Sequence, residues 1–193
     1  MRDALGCTWR ARDATAVPPP GTRFAGGGDS PSRFLGLGIG VAGVVLFLTL
    51  LYGATGDSRW ESLAREGADT LVRHAVPDHE GLNWESEPLE ATQGRLRCQW
   101  CRGAAGVGLC LASCSEVLGE PRYLTAAEAA GETTYGYGDV RANPSLCHGL
   151  GGNAALFLAL HRATRRTLWL ERAHAFAARA LTYRTATPAG DVW

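Results

Sequence analysis

Two stretches decide the fold: Trp100-Cys101-Arg102-Gly103-Ala104-Ala105-Gly106 and Ser145-Leu146-Cys147-His148-Gly149-Leu150-Gly151-Gly152. In each, a cysteine stands two residues before a glycine that opens an apolar run, and another glycine follows three positions later. The same frame occurs upstream at Gly40-Val41-Ala42-Gly43. The downstream segments Ala54-Thr55-Gly56-Asp57, Leu118-Gly119-Glu120 and Ala163-Thr164-Arg165 fall in register. Trp60, Tyr123 and Trp169 each come 20 positions after the first glycine of their copy. No gap is needed inside any copy, and fixed internal periodicity of this kind marks a repeat architecture.

Each copy reads as a helical hairpin. Its first helix is apolar nearly all round, which predicts burial on every side. Its second is amphipathic: Trp60, Leu63, Ala64, Ala68, Leu71 and Val72 share one face of a 3.6-residue period. Glu61, Arg65, Glu66 and Asp69 lie elsewhere. A buried inner helix backed by a half-exposed outer one is the unit of an α/α toroid. The expected fold class is therefore all-α, with about three helical hairpins of an α/α toroid. The glycine pairs are expected to let inner helices approach closely, and the aromatic residue to pack the outer helix onto the inner one. A longer connection at 77–99 reads as an ordered excursion over one rim, and Gly136 to Asp139 and Asn143-Pro144 read as turns.

The chain has 193 residues, enough for one domain with a real core. Lysine plus arginine equals aspartate plus glutamate, 19 each, which argues against a nucleic-acid partner. Residues 1–33 carry Pro18-Pro19-Pro20 and Gly26-Gly27-Gly28 without periodicity and read as a disordered leader, leaving 34–193 as the helical domain. No secretory signal is evident, so the six cysteines read as reduced thiols of a cytoplasmic protein. The uncharged run Phe34 to Tyr52 is long enough to span a bilayer, which keeps a membrane-associated alternative open. Its place in the repeat favours a buried inner helix, because the matching runs carry Arg102, Glu116, His148 and His161 nearby.

Cys101, Cys147 and His148 form the candidate metal site. Taken singly, a cysteine in an apolar stretch is a small core residue and a histidine before a glycine is a helix-start residue. As a pair at one repeat position, the cysteines face a shared point, and with His148 they make a three-ligand zinc site with an open fourth position. Placement near helix N-termini is expected to lower the thiol pKa values. Cys98 completes a CxxC with Cys101 and reads as a neighbour, with a fourth ligand or a redox thiol as alternatives. Cys110 and Cys114, i and i+4 on one helix, read as core. His74 and His79 read as surface histidines, His161 and His174 as facing solvent or capping the packing, and Asp57, Asp139 and Asp191 as turn residues.

These motifs resemble the two signature motifs of the LanC-like lanthionine synthetase cyclases. The Ala54-Thr55-Gly56-Asp57 turn and the Gly81-Leu82-Asn83-Trp84 segment are similar to the same family, and the resemblance covers about residues 34–193. It implies a partial α/α toroid, because the closed ring of the family needs roughly twice as many hairpins, around a central Zn2+ with Cys101, Cys147 and His148 as ligands. It implies addition of a cysteine thiol to dehydroalanine or dehydrobutyrine in a peptide, giving a thioether (lanthionine) ring, or addition of glutathione to such residues. The chain departs from the pattern at Ile39, where the family usually carries a histidine implicated in proton transfer, and at Arg102, which replaces a non-ligand histidine. The Ile39 departure keeps a truncated, non-catalytic zinc-binding fragment as the second reading. Gly190-Asp191-Val192-Trp193 resembles the start of another excursion between hairpins.

Overall fold

The computed structural model describes residues 34–85, 96–139 and 142–193. The expectation for residues 1–33 lies outside them. Six helices form three consecutive hairpins: α1 (Val41–Thr55) with α2 (Ser58–Arg73), α3 (Ala104–Leu118) with α4 (Pro121–Tyr137), and α5 (Leu150–Thr164) with α6 (Thr167–Leu181). The three first helices are each 15 residues long and start right after Gly40, Gly103 and Gly149. They lie side by side in the order α1, α3, α5, with the second helices behind them. The chain is all-α in its architecture, consistent with part of an α/α toroid.

Each inner helix ends in a left-handed residue, Gly56, Gly119 or Arg165. Asp57 then caps α2 by accepting from the backbone N–H of Arg59, the backbone role expected of it. Tyr123 and Trp169 are fully buried between their helices, as the repeat implied. Trp60, at the same position in the first copy, is only half-buried.

The inner helices differ in burial, which corrects the expectation that all are covered on every side. Helix α3 sits between α1 and α5 and buries ten side chains or glycines. Among the described residues, helix α1 has a neighbour of its own kind on one flank only, and Phe47 and Leu50 stay exposed on it. Helix α1 begins at Val41, so the apolar run from Phe34 is not one helix. At about 22 Å it is shorter than a bilayer core. Among the described residues, no helix is long and apolar enough to cross a membrane.

Two short antiparallel hairpins were not foreseen. Strands β1 (Val76–Asp78) and β2 (Gly81–Asn83) follow α2, and β3 (Thr185–Thr187) and β4 (Gly190–Val192) follow α6. The first packs on α4 and forms the start of the expected excursion at 77–99, of which residues 86–95 lie outside the described residues. Its contact also carries α4 through Gly136 and Tyr137, which the sequence placed in a turn. The His79 ring occupies the space a Cβ on Gly136 would need.

Candidate metal centre

The three loops that enter the inner helices share one close backbone approach. A Cβ on Gly40, Gly103 or Gly149 would collide with the carbonyl of Phe34, Arg97 or Asn143, each six residues earlier. The loops also bond to one another sideways. The N–H of Gly38 donates to the Cys101 carbonyl at 3.0 Å, and the N–H of Cys101 donates to the Cys147 carbonyl at 3.4 Å. The donors and acceptors share one repeat position, so the ladder places Cys101 and Cys147 side by side.

The second glycine of each pair has a use the sequence reading only half anticipated. The Cβ of Leu37 lies 2.8 Å from where a side chain on Gly106 would start, and the Cβ of Trp100 lies 2.6 Å from the same point on Gly152. The carbonyl of each glycine's own entry loop lies closer still, so Gly106 and Gly152 admit both that loop and the preceding repeat's, rather than a whole helix. The loop carrying Cys101 is fixed from below by Asn83, which is fully buried. Its Oδ1 accepts from the N–H of Ala104, the first residue of α3, at 2.7 Å, and from the N–H of Trp84 at 2.9 Å. This cap was missed because Asn83 lies 21 residues from the helix it serves.

The ligand atoms of Cys101, Cys147 and His148 all lie within 4.8 Å of one another. His148 Nε2 is 3.5 Å from the Cys147 Sγ. Tetrahedral zinc, with bonds of about 2.1–2.3 Å, holds its ligand atoms at about this spacing, so the donor set fits. Cys101 is buried, whereas Cys147 and His148 are open to solvent. The cluster therefore has an accessible side.

Cys98 is not among the three ligand atoms that lie within 4.8 Å of one another, and its thiol donates to Thr134 Oγ1 at 3.6 Å. Burial pushes its thiol up to about 12. Cys110 and Cys114 are buried core residues, the latter 3.3 Å from Thr49 Oγ1. The five described cysteines are all free thiols. Of the histidines, His79 pairs with Asp78 at 3.0 Å and stacks on Tyr137, and His161 Nδ1 meets the Arg166 carbonyl at 3.0 Å. Asp139 holds Arg179 and Tyr183, each at 2.6 Å.

The expected lowering of thiol pKa at the helix starts does not hold for Cys101. Burial, and then the neighbouring Cys147 thiol, push it up to about 11. The cysteine sits before the helix cap, in a desolvated loop, so the cost of burying a thiolate outweighs the helix dipole.

The sequence family matching residues 28–189 is described as lanthionine synthetase C-like protein. The chain belongs to this family. Among curated relatives, this LanC-like chain is 29% identical over 151 residues to "Glutathione S-transferase LANCL1" of Danio rerio, covering 78% of the chain and 36% of the relative. It is 41% identical over 80 residues to "LanC-like protein GCL1" of Arabidopsis thaliana, covering 41% of the chain and 18% of that relative. The LanC-like chain thus spans about a third or less of the length of these relatives.

Proposed function

We propose that the chain is a zinc-binding LanC-like domain that activates a thiol, with Cys101, Cys147 and His148 as the ligands. The observation that carries the reading is the convergence of two sulfurs and one imidazole nitrogen from repeat-equivalent loops within 4.8 Å. When bound, a zinc ion supplies Lewis acidity that lowers the pKa of a thiol in its open position. Cys101 anchors the site from the buried side. Cys147 and His148 border the solvent side, where a cysteine of a peptide or glutathione enters. The thiol gives up its proton and its sulfur adds to the β-carbon of dehydroalanine or dehydrobutyrine; the C=C electron pair passes to the α-carbon, which takes up one proton, so a thioether forms with no leaving group. The glutathione S-transferase name of the zebrafish relative supports a thiol co-substrate. Free cysteines throughout the described residues suit a reducing, cytoplasmic setting.

The second reading is a zinc-binding fragment without catalysis. It is favoured by Ile39, which holds the repeat position of Arg102 and His148, is 54% exposed, and has no proton to give. Metal analysis tests the shared part: about one zinc per chain is expected, and its loss in a Cys101→Ala, Cys147→Ala double variant. Zinc retained by the double variant overturns the ligand assignment. Thioether formation from a dehydroalanine peptide and glutathione then separates the two readings, and Ile39→His is expected to raise the rate if the domain is catalytic.

A further inference from the structure

Asn153 stands on the first turn of α5 and is 3% exposed, yet its Oδ1 is buried with no hydrogen-bond partner. A buried acceptor left unpaired is destabilising, so its retention calls for a use. It lines one recess with His148, Cys98 and Asp139. His148 turns Nε2 toward Cys147, which leaves Nδ1–H as the ring's remaining donor. The carboxylate of the recess, Asp139, is engaged elsewhere. Asp139 takes Arg179, Tyr183 and the backbone of Asn143, and Cys98 donates to Thr134. Metal-binding histidines characteristically donate their second N–H to such a group, which fixes the tautomer and the ring's angle.

We infer that Asn153 is a positioning residue for the metal centre: its Oδ1 accepts from His148 Nδ1–H when Nε2 is drawn onto the ion. This rests on the zinc reading above. The pairing satisfies the orphan acceptor and holds the one exposed imidazole of the site in its binding tautomer.

The test is zinc affinity, measured by competition with a chromophoric chelator, together with the visible spectrum of the cobalt-substituted full chain. Asn153→Leu keeps the volume and removes the acceptor. It is expected to weaken zinc about 10- to 100-fold and to shift the cobalt bands. Because the lost group is already unpaired, its thermal stability is expected to match or exceed the parent's, so weak binding will not reflect unfolding. Asn153→Asp restores an acceptor and is expected to bind zinc at least as tightly as the parent. Parent-like affinity and spectrum in Asn153→Leu, or binding by Asn153→Asp as weak as by Asn153→Leu, overturns the inference and leaves the zinc site standing. A parent chain that binds no zinc overturns both.

Discussion

The hairpins β1–β2 and β3–β4 are the same local object in two settings. Each begins 35 residues after the start of its inner helix, and the strand registers match pair for pair, Val76 with Asn83 as Thr185 with Val192. Yet Trp84 is fully buried, its Nε1 donating to the Leu71 carbonyl at 2.7 Å, while Trp193 at the matching position is 63% exposed. Gly81 lies against the Ala129 carbonyl of α4, where a Cβ would collide, whereas Gly190 has open space around it. Thr133 donates to the Asp78 carbonyl, and Tyr137 donates to its carboxylate, at 2.8 and 3.0 Å. Among the described residues, no helix lies behind β3–β4 as α4 lies behind β1–β2. Local sequence makes the hairpin, and the next repeat makes it part of a core.

The contrast can be broken most forcefully at Trp84. Trp84→Ala is expected to cost about 3–5 kcal/mol by opening a cavity in the core, read from denaturant unfolding. Asn83→Val installs the residue that β4 carries. It leaves the Ala104 N–H without its acceptor and is expected to cost about 2–3 kcal/mol in the same measurement, with weaker zinc binding because the Cys101 loop loses its anchor.

Asp78→Thr, again copying the second hairpin, removes an acid-sensitive tie and is expected to cost about 1–2 kcal/mol at neutral pH. Burial pushes the Asp78 carboxyl up, but bonds from Asn83, His79 and Tyr137 outweigh it and hold the pKa below the ordinary value. A depressed carboxylate stabilises the fold above its unfolded value of about 3.9, and that contribution disappears as pH falls through the lower folded value. Tryptophan emission followed from pH 5 to 2 is expected to show the loss in the parent and not in Asp78→Thr. The smallest effect is expected at Trp193→Ala, under about 0.5 kcal/mol, since an exposed ring has little burial to lose. A large loss there would show the second hairpin to be packed in solution, and the contrast would fail.

Much of this was legible in advance. The glycine frame and the aromatic residue 20 positions on located three hairpins, and the paired cysteines with His148 located the cluster that geometry brings together. The strands escaped notice because three residues carry too little periodicity to register. The Asn83 cap escaped because its partner is distant in sequence. The direction of the Cys101 shift was misjudged because the dipole can be read from a helix start, but desolvation depends on what covers the loop.

By itself the sequence determined that equivalent residues recur in equivalent places: the glycine that opens each inner helix, the aromatic residue 20 positions on and, in the second and third copies, a cysteine two residues before the opening glycine. These follow from local backbone preferences and apolar periodicity, which act within one repeat. Only the tertiary structure decided which copies of an equivalent residue are buried, and that the entry loops bond sideways through Gly38, Cys101 and Cys147. It also set one buried thiol beside one exposed thiol and imidazole. Burial and convergence depend on the neighbouring repeat, and a repeat's own residues do not specify on which side that neighbour stands.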